Sequence, residues 1–348
     1  MPTPSTEVWE YLQTAYVPDL LAQPRQRGTR TKYECEIRTF EKAFRFHLAE
    51  KDLKIRKPTL ADLSPDDPQH PCGHLRADEL LKFAMGWQIG RGRKVTTANS
   101  LYRHVCAVWR HAFARGYVVA PPRTKRYEEP DYKRQAWSLE EMRAILAAAA
   151  QLPGRLGDVR RSDFYTALIL FVYSTGARRG VAMKVPARNF DARRGEVLLP
   201  AEFQKQNADQ LLDLLPETVA ALARLRSAER GVELLFGDFA MCVRKLNDGL
   251  RQIIVAAGLR RSVEQVSSRD LWHKFRRTFA TWGCAASDEE TMRRLLGHSS
   301  VNVTRLYLDE RFLPRVSARQ VIPSLFPIDP DPAPDGLGAL RLHRPEAG

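Results

Sequence analysis

The chain has 348 residues, 44% hydrophobic and 28% charged, which at roughly 150 residues per domain predicts about two domains, each with its own core. These proportions exclude a small disulfide scaffold, a chain disordered throughout and a membrane-embedded protein. Lys and Arg number 55 against 41 Asp and Glu, a net charge of +14. That excess points to a polyanionic partner, nucleic acid before an anionic membrane, since no basic amphipathic helix stands out as a surface anchor.

Met1 to Ala15 is polar and acidic and lacks the pattern of a signal peptide. The five cysteines, odd in number and irregularly spaced, suit reduced thiols in a cytosol. Apolar residues Tyr33, Ile37, Phe40, Phe44 and Leu48 follow helical spacing. Asp62 to His74 carries Pro65, Pro68 and Pro71 and is read as a loop; its His70-Pro-Cys72-Gly-His74 lacks a second ligand pair and is no zinc site. Asp78–Trp87 and Thr97–Ala114 are the next helices, the latter with Leu101, Val105, Val108, Trp109 and Phe113 on one face and basic Arg103, His104, Arg110 and Arg115 on the other. Pro121-Pro122 ends this pattern, and the segment after it, with Lys125, Arg126, Lys133 and Arg134, reads as a basic linker able to track a backbone.

Ser138-Leu-Glu-Glu141 is a capping box that opens a helix through Ala150. A buried helix is expected over Phe164–Ser174, short strands over Glu196–Leu199, Glu202–Lys205 and Gln210–Leu215 with a turn at Gln206–Asp209, and helices over Thr218–Arg226, Met241–Ala257 and Arg276–Trp282. Ser287 with Glu290 reads as a second capping box, and Gly297 ends the helix it begins. The tail from Pro323 is rich in Pro and Asp and has little apolar periodicity.

Five features stand in order: Thr175-Gly-Ala-Arg178, Lys205 at the edge of the hairpin, His273-Lys-Phe-Arg276, Leu296-Gly-His298, and Tyr307 nine residues further on. A His-x-x-Arg tetrad alone is weak, but the ordered set is specific. The sequence resembles the tyrosine recombinase, or phage integrase, family of site-specific DNA recombinases over about Ser138 to Tyr307. More loosely, Thr96-Thr97-Ala98-Asn99 and Arg115-Gly116-Tyr117 resemble the end of that family's helical core-binding domain. The resemblance implies a mainly α fold with a small antiparallel sheet: a helical core-binding domain with an N-terminal arm over 1–120, a basic linker over 121–136, an α+β catalytic domain over 137–312 and a tail over 313–348, forming a C-shaped clamp on double-stranded DNA. Implied partners are recombination sites, four protomers assembled on them, and accessory DNA-bending proteins; no membrane is implied.

The resemblance makes Arg178, Lys205, His273, Arg276, His298 and the nucleophile Tyr307 the catalytic set. The residue types suit the reaction, since extra charge on the phosphate oxygens in the transition state calls for fixed cations, and a guanidinium fork matches those oxygens. His298 can add a hydrogen bond, Lys205 can protonate the departing 5′ oxygen, and His273 either takes the Tyr307 proton or braces the phosphate. A phosphotyrosyl bond conserves the energy of the broken linkage, so neither metal nor other cofactor is expected. Arg179 competes with Arg178, which the Thr-Gly-x-Arg motif selects; Lys184 competes with Lys205, but six residues beyond Arg178 in the same expected helix it would point away. Arg103, Arg110, Lys125, Arg126 and Arg277 are candidate DNA contacts. Val181 stands where the family usually has an acid that buttresses the site, Ala187 where a Trp is common, and Phe275 where Leu is usual. The alternatives are a type IB topoisomerase-like relaxing enzyme and a catalytically impaired DNA-binding accessory protein.

Overall fold

The computed structural model describes residues 2–3, 5–22, 28–63, 77–118, 120–130, 134–204, 206–227, 233–237 and 243–314. It divides into two compact units, Met1–Tyr132 and Lys133–Gly348. Among the described residues no helix is long and apolar enough to cross a membrane.

The first unit is helical. Helices α1 (Val8–Tyr11) and α2 (Val17–Leu21), joined by a π turn, precede α3 (Gly28–Glu50), α4 (Ala77–Gly90) and α5 (Val95–Ala114). Ile37, Phe40 and Phe44 of α3 pack with Leu101, Val105, Val108 and Trp109 of α5 around Tyr11. Phe113 departs from its expected place on that face and is 41% exposed, while its neighbour Ala112 is fully buried. Of the basic residues expected on the other face of α5, His104 is bonded to the Ser100 carbonyl, Arg110 to the Tyr102 side chain, and Arg115, just past the helix end, to Asp19. The segment read as a linker is held here at Thr124, buried on Asp78, and at Tyr127, whose amide donates to Asn99.

The second unit centres on α7 (Arg161–Thr175), apolar all round and therefore covered on every side. It is preceded by α6 (Leu139–Ala150), opened by the Ser138–Glu141 capping box, and by the two-residue strands β1 (Arg155–Leu156) and β2 (Val159–Arg160). Beyond it lie α8 (Arg179–Ala182) and an antiparallel sheet of β3 (Phe190–Asp191), β4 (Glu196–Leu199) and β5 (Gln210–Asp213), in which Leu199 faces Gln210. In place of the strand expected from Glu202 there is a 3-10 turn over Ala201–Phe203, closed by the Phe203 amide on the Pro200 carbonyl and by the Ala201 amide on the Asp209 carboxylate. Lys205, the zinc-like His70–His74 stretch and the tail from Arg315 lie outside the described residues.

Helices α9 (Pro216–Ser227), α10 (Val243–Ala256), α11 (Trp272–Ala286), α12 (Glu289–Leu296) and α13 (Val301–Arg305) complete the unit. The cap of α12 is Asp288 and not Ser287: the Asp288 carboxylate accepts from the Thr291 amide, while the Ser287 hydroxyl turns back to the Gly283 carbonyl. The main core gathers Trp137, Phe164, Phe171, Phe236, Ile253 and Phe275. A separate small cluster of Ala280, Met292 and Leu296, flanked by Phe279 and Tyr307, joins α12 and the segment after α13 to α11.

Candidate active site

Helix α7 stops at Thr175 because Gly176 takes a left-handed conformation (φ +61°). A Cβ there would lie 2.4 Å from Phe279, so both the backbone and the packing require glycine. The reversal places Arg178 at the amino end of α8, half-buried. Its guanidinium makes no hydrogen bond or ion pair among the described residues.

Arg276, on α11, is 3% exposed. Its Nη1 donates to the Gly176 carbonyl (2.5 Å), and its Nη2 to the Leu296 carbonyl (2.9 Å) and to Nε2 of His298 (2.9 Å). Both carbonyls end helices, where the dipole favours a cation. Its Nε is buried without a hydrogen-bond partner among the described residues. Burial first, and then the charge of Arg178, lower the pKa of Arg276 to about 10, so it stays protonated at neutral pH.

Gly297, also left-handed, ends α12 and delivers His298 into the interior. A guanidinium can only donate, so Nε2 of His298 is the acceptor and Nδ1 carries the proton, which it gives to the Thr304 hydroxyl (3.0 Å). Burial, then Arg276 and Arg178, push the imidazole pKa down to about 4. Tyr307 directly follows α13, its ring 4.9 Å from that of His298 and 5.5 Å from Cζ of Arg276. His273 stands one helical turn before Arg276 with its outer edge exposed. The surrounding protein, then the charges of Arg277, Arg276, Arg178 and Arg179, lower its pKa. Among the described residues, the groups that chiefly shift these three titrations, after burial, are neighbouring arginines and, for Arg276, Tyr307.

The structure thus brings Arg178, His273, Arg276, His298 and Tyr307 into one cluster. Residues 138–313 match the model of the phage integrase family. The chain belongs to the phage integrase family of tyrosine recombinases. A dimer of lambda integrase bound to a COC′ core site shares the fold with a TM-score of 0.62 at 16% identity, covering 89% of this chain and 97% of that one. The Tn1549 transposon integrase in complex with a circular intermediate DNA gives a TM-score of 0.61 at 12% identity, with 87% and 95% covered. A lambda integrase tetramer bound to a Holliday junction gives 0.63 at 16%, with 90% and 80% covered. No curated protein sequence matches the chain.

In this integrase-family site the hairpin reaches the end of α12. Nε2 of Gln210 donates to the carbonyls of Arg294 (3.2 Å) and Leu295 (2.5 Å), and a Cβ on Gly297 would collide with the Gln206 side chain. Val181 is buried in the main core. Nearby, Oδ1 of Asn247 receives Arg179 (3.3 Å) and the Trp272 indole (3.1 Å), bracing the residues that adjoin Arg178 and His273. Lys184 lies over the Phe203 ring. Of the candidate DNA contacts, Arg103 and Arg110 are exposed on one face of α5, Lys125 and Arg126 are exposed, and Arg277 is half-buried beside His273. Sequence reasoning missed Thr304 and Asn247. Helical spacing from Tyr307 offered a hint of Thr304, whereas nothing local marked Asn247.

Proposed function

We propose that the protein is a site-specific DNA recombinase that cuts and rejoins double-stranded DNA through a 3′-phosphotyrosyl intermediate. The observation that carries this reading is that Arg276, whose Cζ lies 5.5 Å from the Tyr307 ring, is neighboured by a second guanidinium, Arg178, and that neither is ion-paired to an acid among the described residues. Two neighbouring cations, one of them buried, are a poor stabilising device and a good receptor for phosphate oxygens.

In this reading the scissile phosphate rests on both guanidinium groups, whose charge opposes that developing in the transition state. Tyr307 Oη attacks phosphorus as the bond to the 5′ oxygen breaks. His273, neutral at the outset, accepts the Tyr307 proton, and Lys205 gives a proton to the departing 5′ oxygen. His298 first orients Arg276 as an acceptor; phosphate seated on the cluster raises its proton affinity and converts Nε2 into a donor. Rejoining reverses these steps with a 5′ hydroxyl from another strand, and the phosphotyrosyl bond supplies the energy, so the scheme calls on no metal or nucleotide.

Four protomers would act in pairs on two sites through a Holliday junction, in the cytoplasm on the nucleoid, with DNA-bending proteins as accessory partners. Residues 1–120 and the segment after them would grip the duplex through Arg103, Arg110, Lys125 and Arg126, with Arg277 on the catalytic side, and the tail 313–348 would dock on a neighbouring subunit. A nicked suicide substrate carrying the target site tests the reading, because the short 5′-hydroxyl strand diffuses away and traps the intermediate. Wild-type protein forms a covalent adduct that survives denaturation, and Tyr307→Phe forms none. Absence of adduct with the wild type on its own site would overturn the proposal.

A further inference from the structure

The segment that carries Tyr307 has few apolar contacts of its own, yet two residues beyond it Asp309 is 3% exposed. Its Oδ2 accepts the Ala136 amide (2.7 Å), its own amide donates to Thr281 Oγ1 on α11 (3.0 Å), and Arg311 forks onto its carboxylate (2.6 Å). Burial alone would raise the Asp309 pKa, but the hydrogen bonds from Arg311 and from the Ala136 amide outweigh it and hold the carboxyl below its ordinary value. The Ala136 end is fixed. Trp137 is fully buried in the main core, its amide donates to Thr278 Oγ1 (2.9 Å), its carbonyl receives the Trp282 indole (3.1 Å), and Nζ of Lys274 sits 3.3 Å from its ring centroid. Lys274 in turn lies 3.5 Å from Asp270.

From this geometry we infer that Asp309 is a positioning residue for Tyr307, fastening the nucleophile's segment to the rigid start of the second unit and to α11. The inference rests on the reading of Tyr307 as nucleophile. Asp309 touches no reacting atom; it fixes where the chain leaves Tyr307, and so how far Oη stands from a phosphate on Arg178 and Arg276. An error of an ångström in such a placement is costly in rate. Ala136 closes the connection between the two units in sequence, so the same carboxylate joins that connection's exit to the nucleophile.

The test compares full-length wild type, Asp309→Ala, Asp309→Asn and Thr281→Val on the nicked substrate, with hydrogen exchange of the DNA-free proteins alongside. Thr281→Val keeps the shape of the side chain and removes the acceptor for the Asp309 amide, so it reads the same tether if Asp309→Ala fails to fold. Expected is an adduct-forming rate about tenfold or more below wild type for Asp309→Ala and Thr281→Val at saturating DNA, with the half-saturating DNA concentration unchanged. Asp309→Asn, which keeps an acceptor for Ala136, recovers much of the rate. Exchange rises across residues 304–309 and not in the core of α11. Wild-type rates in both tether variants, or unchanged exchange across 304–309, would overturn the inference while leaving the recombinase reading intact. Absence of adduct with wild type would instead strike that reading, and exchange alone would then decide the tether.

Discussion

Arg178 and Arg276 are carried by α7, α8 and α11, whose apolar faces enter the main core of the second unit, whereas His298 and Tyr307 ride on α12 and α13 over a cluster of a few side chains. Helix α11 serves both regions, with Phe275 in the core and Ala280 in the small cluster. The cationic side is therefore pre-organised by dense packing, which spares reorganisation when charge develops on a phosphate. The side that carries His298 and Tyr307 rests on few apolar contacts, the kind of region that opens at a lower free-energy cost. It is held by a few directional bonds: Arg276 to the Leu296 carbonyl and His298, His298 to Thr304, and Asp309 to Ala136.

Substitutions that cut those bonds sharpen the contrast. Arg276→Ala removes the group that joins the two regions and orphans two carbonyls. Adduct formation should fall more than about a thousandfold, and calorimetry or chemical denaturation should show a loss of about 2 kcal/mol. Gly176→Ala, at φ +61° and 2.4 Å from Phe279, should cost about 3 kcal/mol through strain and overpacking. By displacing the carbonyl that holds Arg276, it should also slow cleavage about a hundredfold. Thr304→Val leaves Nδ1–H of His298 without its acceptor and should cost about 1 kcal/mol, with a cleavage defect of several-fold. The smallest effect is a titration. The His298 pKa of about 4 lies below the ordinary value of 6.5, so between these pH values the unfolded chain binds a proton that the folded chain refuses. His298 thus contributes stability that is full above pH 6.5 and is lost as pH falls toward 4. An NMR titration of the DNA-free protein should find its midpoint near 4; a midpoint near 6.5 would contradict the buried, acceptor-facing ring.

Much of this was legible in the sequence, because helices with a regular apolar face, the Ser138 capping box and the glycines at 176 and 297 are decided by local chemistry. The ordered Arg, His, Arg, His, Tyr set was legible for the same reason: each lies at or near a helix end whose position short motifs fix. What escaped depends on groups distant in sequence. Arg115 meets Asp19, Asn247 meets Trp272, and Asp309 meets Ala136 only after the chain has folded. The strand expected at Glu202–Lys205 failed because the Ala201 amide is taken by the Asp209 carboxylate and the chain turns there, and the Ser287 cap failed because Asp288 offered a carboxylate one residue later.

The central claim is that the Arg178 charge is kept for phosphate and not for stability, and Arg178→Ala tests it most directly in one paired measurement of thermal unfolding and adduct formation. Arg178 has no hydrogen-bond or ion-pair partner among the described residues and repels Arg276. The variant should therefore unfold within about 0.5 kcal/mol of wild type, or slightly later, while forming adduct about a hundredfold or more slowly. A variant that loses several degrees of melting temperature yet forms adduct at the wild-type rate would contradict the account.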